Sequence, residues 1–362
     1  MPRPLAGGRL AELLGTRHPV IQGPFGGGLS AVGLAAAVSD AGGLGSFGAH
    51  HLEADAVVEL VASLKAATNA PFAVNLWVPQ PSEAVRPPLD ELEQHFERLR
   101  PLHEALGADR PDLTAPFLPD YDQQVAALIE AAPPVISFVM GLPSQDVIEA
   151  TRSKGIVTIG TATTVEEALA VEAAGMSAVV ASGSDAGGHR GAFLRPVDES
   201  LVGTFSLVPQ VADAVSIPVV AAGGIADGRG VAAAMVLGAD GVQVGTGFLA
   251  TAESAASEAH KAALHSAEGR TTVLTRAFSG RPARGILNGF VRELTPSEHE
   301  LPVYPVQNAL MSRARSAAYA AGDVERASLW AGQAAGLTRP RPAAEYLAAL
   351  LAEAEASLGA RP

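Results

Sequence analysis

The chain has 362 residues, of which 48% are hydrophobic, enough for one (β/α)8 barrel of about 250 residues plus an appended piece. Its 38 acidic against 25 basic side chains give a formal net charge of −13 without any long Lys/Arg cluster, which argues against nucleic acid and anionic membranes as partners. Cysteine is absent, so disulfides, thiolate nucleophiles and Cys-based metal sites are excluded.

In chain order, Arg9-Leu10-Ala11-Glu12-Leu13-Leu14 reads as a short amphipathic helix rather than the apolar core of a leader. No apolar run reaches the ~18 residues a spanning helix needs, so a soluble, cytoplasmic protein is expected. Eight apolar runs are predicted as strands: Pro19–Gly23, Leu44–Gly48, Phe72–Val78, Val135–Gly141, Ile156–Gly160, Ala178–Ser182, Pro218–Ala222 and Gly241–Val244. Most are continuous rather than alternating, as in parallel strands covered on both faces. An Ala-rich helix, a glycine turn and an apolar strand recur as a theme, for instance at Ala232–Leu237, Gly238 and Val242. Alternating strands and helices imply a parallel sheet with helical crossovers, and eight such units predict an α/β fold, a (β/α)8 TIM barrel.

The barrel is expected to span residues 1–250. An excursion, 79–134, follows the third strand, with prolines at 79, 81, 87 and 88 and an acidic, solvated helix from Leu89 to Arg100. Residues 251–338 are predicted as a helical subdomain over the barrel mouth, and 339–362 as a peripheral C-terminal helix.

Chemistry concentrates at two strand ends. Ala178-Val179-Val180-Ala181 runs into Ser182-Gly183-Ser184-Asp185-Ala186-Gly187-Gly188-His189-Arg190-Gly191. Paired glycines let a backbone approach a ligand closely, and a histidine beside them, with an ordinary pKa of about 6.5, suits proton exchange. Downstream, Pro218–Ala222 leads into Gly223-Gly224-Ile225-Ala226-Asp227, and Gly241–Val244 ends in Gly245-Thr246-Gly247. Small residues opening into helix N-termini offer free N–H groups and a favourable dipole to a phosphate, and loops after the seventh and eighth barrel strands are the usual phosphate grip.

Gly43-Leu44-Gly45-Ser46-Phe47-Gly48 spells the dinucleotide fingerprint, but a helix precedes it, the motif lies in the strand, and Thr68 stands where an acid belongs. His50 and His51 follow the second strand, where a solvated loop is the expected setting and a place lining the barrel mouth the alternative. His18 precedes the first strand and belongs to the opposite face. No spacing of His, Asp and Glu points to a metal.

These residues together resemble the nitronate monooxygenases (2-nitropropane dioxygenases), class one. Ile21-Gln22-Gly23-Pro24-Phe25-Gly26-Gly27 is similar to the family's first motif, Ser182 to Gly191 with Thr204 to Gln210 to the second, Pro218 to Thr251 to the third, and Trp330-Ala331-Gly332-Gln333 to the last. The resemblance implies non-covalent FMN at the C-terminal barrel face and oxidation of a nitronate by dioxygen to a carbonyl compound and nitrite. It implies that His189 is catalytic and that Asn75 holds the flavin ring. Gly23, Pro24, Phe25, Ser182, Gly187, Gly188, Gly223, Gly224, Gln243, Val244, Gly245, Thr246 and Gln333 would complete the cofactor site. Members commonly carry Gln where Ser182 stands and Met where Phe25 stands, so both contacts are expected to differ here.

For neutral nitroalkanes His189 would remove the α-proton; for preformed nitronates it would only orient the anion. A monomer or homodimer is expected. The rival reading is an FMN-dependent NAD(P)H reductase of quinones or enoyl-acyl carrier protein, which shares the AGGH and AGQ motifs. Against the enoyl reductase stand Arg190-Gly191-Ala192-Phe193 and Thr204-Phe205. A non-catalytic flavin- or phosphate-binding protein is a further reading, against which the placement of His189 counts.

Overall fold

Alternation along each apolar run decides what its strand presents to the two sides of a sheet. In the computed structural model, which describes residues 5–359, there are eleven strands: β1 (Val20–Gln22), β2 (Gly45–Gly48), β3 (Phe72–Trp77), β4 (Val135–Val139), β5 (Val157–Ala162), β6 (Ala178–Ser182), β7 (Gly188–His189), β8 (Val219–Ala222), β9 (Gly241–Val244), β10 (Thr272–Thr275) and β11 (Ala283–Ile286). Eight of them form one parallel sheet in the order β1-β9-β8-β6-β5-β4-β3-β2. A bridge between Ile21 and Leu44 joins the two ends, with the Gln22 N–H donating to Leu44 O and the Leu44 N–H to Val20 O, both at 2.9 Å. The ring is thereby closed, and each of the eight predicted strands takes its place in it.

Two packed layers result. Ile21, Ala73, Val135, Ile159, Val180 and Val220 fill the barrel interior with Leu10 and Leu14 of the N-terminal helix Arg9–Leu14. Their strand neighbours Val20, Val74, Ile136, Val179, Val219 and Val242 pack outward against the helices. The same alternation places Asn75 and Trp77 of β3, Ser137 and Val139 of β4, Ser182 of β6 and Gln243 of β9 on the inner side, toward the C-terminal rim. No helix of the described residues is long and apolar enough to cross a membrane.

The excursion folds as helices Leu89–Ala105 and Tyr121–Ala131. Its acidic helix is not solvated all round: Leu92, Phe96 and Leu99 are buried with Leu310, Met311 and Ala314 of helix Val306–Ala321. His103 adds a ring-nitrogen contact to Leu310 O at 3.0 Å. The region after Leu249 carries helices together with β10 and β11, which join β7 of the earlier glycine loop in a sheet that a purely helical reading leaves out. That antiparallel sheet has the order β10-β11-β7, and it is built from short segments without long apolar runs. Helix Ala343–Gly359, expected to be peripheral, buries Tyr346, Leu347, Leu350 and Ala354 in the main core. Its Tyr346 hydroxyl donates to Ala226 O at 2.8 Å.

Candidate active site

A cavity of about 330 Å3 opens at the C-terminal ends of the barrel strands, where the rims of such barrels carry their ligand sites. Its floor and walls include Gly23, Pro24, Phe25, Asn75, Ser182, Gly187, Gly188, His189, Gly223, Gly224, Gln243, Gly245 and Thr246. Thus most of the residues singled out in the sequence converge on one space. Two do not. Val244 occupies the outward phase of β9 and is buried against the helices, and its carbonyl accepts from Gly23 N–H at 2.8 Å. Gln333 is exposed; its backbone N–H donates to Asp185 O at 3.0 Å, so this segment docks through its main chain while Gly332 and Ala334 face the cavity.

His189 is positioned by its backbone. Gly188 and His189 form β7, paired with Arg284 and Ala283 of β11, and the Arg190 N–H donates to Pro282 O at 2.9 Å. The fully buried Arg190 guanidinium ties the loop from below, with Nη1 donating to Gly183 O and Nη2 to Ser182 O, each at 2.7 Å. Buried Glu167 holds the far side, accepting from the N–H groups of Phe193 at 2.6 Å and Leu194 at 3.1 Å. A Cβ on Gly187 would lie 2.5 Å from Gly332 N, so only glycine permits this close approach of two backbones.

The imidazole of His189 lies against Trp77 (ring centroids 4.8 Å) and Trp330 (5.2 Å). Its Nε2 is 2.8 Å from Ser279 Oγ. Burial pulls its pKa down to about 3, with the positive charge of Arg315 adding to the effect, so the ring is neutral near pH 7. Tyr304, buried near Arg281 and Arg315, is pushed up to about 12 by desolvation and stays a hydrogen-bond donor.

Several lining residues carried no sequence assignment. Trp77 is two positions beyond Asn75 on the same strand, a signal the alternation supplies. His50 faces the cavity, stacked on Trp77 at 3.9 Å with an interplanar angle of 7°, instead of standing in a solvated loop. Burial, then His51, His189 and Arg315, lower its pKa well below the ordinary value. Tyr304, Asn308 and Arg315 come from helix Val306–Ala321 and its approach; nothing local in the sequence marks them as cavity residues.

Unengaged hydrogen-bond donors lie at the ends of β8 and β9. Gly224 sits at φ +68°, a conformation that L side chains rarely adopt, and among the described residues no acceptor takes its N–H or that of Thr246. Thr246 Oγ1 accepts from Gly332 N–H at 2.9 Å, leaving its hydroxyl hydrogen to give. Asn75 donates its amide to Ser137 Oγ at 3.0 Å and Ser137 O at 3.2 Å, which turns its carbonyl oxygen free as an acceptor. No Asp or Glu lines the cavity, and no group of three metal-ligating side chains occurs among the described residues.

The nitronate monooxygenase family model matches residues 8–353. A probable nitronate monooxygenase of Staphylococcus saprophyticus is 42% identical, covering 91% of this chain and 93% of its own length; a Staphylococcus aureus counterpart is also 42% identical over 92% and 94%. Among solved structures, nitroalkane oxidase from Streptomyces ansochromogenes superposes with a TM-score of 0.88 at 41% identity, covering 97% of this chain and 99% of that one. FabK from Thermotoga maritima gives 0.77 at 33% identity, with 98% of each chain covered. With a family match over residues 8–353 and relatives 42% identical over about nine-tenths of the chain, the chain belongs to the nitronate monooxygenase family.

Proposed function

We propose that the cavity binds flavin mononucleotide and oxidises alkyl nitronates with dioxygen to a carbonyl compound and nitrite. The observation that carries this reading is the lining: hydrogen-bond donors, two tryptophans and one arginine, with no carboxylate. In a chain of net charge −13, such a lining favours anions, and both a flavin phosphate and a nitronate are anions. Bound flavin would supply the electron acceptor for the nitronate carbon. The free N–H groups of Gly224 and Thr246 with the Thr246 hydroxyl suit the phosphate, the free carbonyl of Asn75 suits a ring N–H, and Gln243 adds an amide on the same side of the barrel.

Before an anion arrives, His189 is a neutral imidazole. Ser279 Oγ is 2.8 Å from His189 Nε2 and donates at 3.1 Å to Arg281 O. A hydroxyl has one hydrogen, so with that hydrogen on Arg281 O, Nε2 is the donor and Nδ1 carries the lone pair. A base held near pKa 3 is poorly matched to removing a carbon-bound proton at neutral pH. An arriving nitronate, by contrast, raises the imidazole's pKa because opposite charge favours its cationic form. The preformed anion is therefore the better substrate, and His189 orients it rather than generating it. Oxygen uptake and nitrite release with ethyl nitronate and with nitroethane test this. Turnover should be at least about tenfold faster on the nitronate, and His189→Asn, by losing the group that positions the anion, should depress it by about two orders of magnitude. Equal rates on the two forms contradict the assignment, and rapid NADH oxidation without any nitronate would favour the reductase.

A further inference from the structure

We propose that Arg315 is the substrate-selecting residue of this site, its guanidinium receiving the two oxygens of the nitronate group and so discriminating against the neutral nitroalkane. The inference rests on the nitronate reading above and adds to it the residue that recognises the anion.

Among the described residues, no carboxylate forms an ion pair with Arg315. Its Nη2 donates to Asn308 Oδ1 at 2.7 Å and, weakly, to Asn308 O at 3.4 Å, and its Nε is shut off from solvent with no partner. The groups close enough to act on its charge are Tyr319 and Tyr304, and no carboxylate is among them. A desolvated cation is costly unless paired, so this wall is electrostatically complete only with an anion in the cavity. The guanidinium is a planar fork of donors that matches a planar pair of oxygens, which is the shape of a nitronate group. It lines the same cavity as His189 and His50, and its charge adds to the lowering of both imidazoles. The fold fixes it there: Leu310, Met311 and Ala314 of the same helix are buried against Leu92, Phe96 and Leu99 of the excursion, and Asn308 and Arg315, two turns apart, share the cavity-facing side.

The test uses flavin-loaded wild type, Arg315→Gln and Arg315→Lys. Steady-state KM and kcat are measured on ethyl nitronate and nitroethane, and sodium acetate, an unreactive planar anion, is titrated calorimetrically. Arg315→Gln should raise KM for ethyl nitronate by about tenfold or more, as loss of a buried charge partner does, while KM for nitroethane changes by less than about twofold. Acetate binding should vanish in Arg315→Gln. Arg315→Lys, which keeps the charge and loses the fork, should fall between the two and carries the test if the glutamine variant fails to fold. A folded, flavin-replete Arg315→Gln with wild-type KM for ethyl nitronate, or with the same loss on both substrates, overturns the proposal. Should wild type leave ethyl nitronate unoxidised, the catalytic reading fails, and the acetate titration still decides Arg315: binding lost with the guanidinium supports it, binding unchanged by its removal ends it.

Discussion

His260 shows at the scale of one residue what burial does to an imidazole in this protein. It is fully buried, with Nε2 3.1 Å from Trp330 O, and desolvation pulls its pKa from 6.5 to about 4. Because the folded-state value is the lower one, protons bind the unfolded chain more readily, so this contribution to stability is complete above about pH 6.5 and drains away as the pH falls toward 4. The shift corresponds to roughly 3 kcal/mol. His260→Gln retains a donor for the Trp330 carbonyl without the titration. Its deficit against wild type in urea unfolding should therefore shrink by roughly 2 kcal/mol between pH 7 and pH 4.5; parallel pH curves would remove the titration from the explanation. His189, held near 3 by the same physics, differs in opening onto the cavity, where a bound anion would shift its titration; His260 is closed off beside the Trp330 carbonyl.

Elements, rather than single residues, bring the site together. The segment Trp330–Gly332 docks on the glycine loop through main-chain contacts, and Gly187 is the point of closest approach, where an added Cβ would meet Gly332 N at 2.5 Å and the Ala331 carbonyl carbon at 2.6 Å. Both are backbone atoms with little room to yield. Gly187→Ala should keep the barrel folded by far-ultraviolet circular dichroism yet lose flavin affinity by about tenfold or more, a tenfold loss being about 1.4 kcal/mol; undiminished affinity would show that the two segments can part without consequence. Local signals made the strands and glycine loops readable in the sequence, since a period of two and a small-residue turn are properties of five to ten neighbouring positions. Within the run Gln243–Thr246, alternation turns Gln243 inward and Val244 outward, so the Val244 side chain does not line the cavity. Arg315 and Tyr304 were invisible for a different reason. The helix that carries Arg315, with Tyr304 just ahead of it, packs on Leu92 and Phe96 of the excursion, about 200 residues earlier in the chain, and no local pattern encodes that pairing.

The whole molecule joins an acidic exterior to a cavity that excludes acids. A net charge of −13 would repel small anions in general, and on the proposed reading the donors of Gly224, Thr246 and Arg315 would supply the local field that admits them. The C-terminal helix contributes to the same end, since Tyr346 bonds to Ala226 O beside the turn that carries Gly224. The most direct check is the visible spectrum of the purified protein, recorded without oxygen before and after addition of ethyl nitronate or NADH. A yellow protein whose flavin absorbance falls with the nitronate and not with NADH is the expected result. A colourless protein that takes up no FMN, or one bleached by NADH and indifferent to the nitronate, would contradict the account.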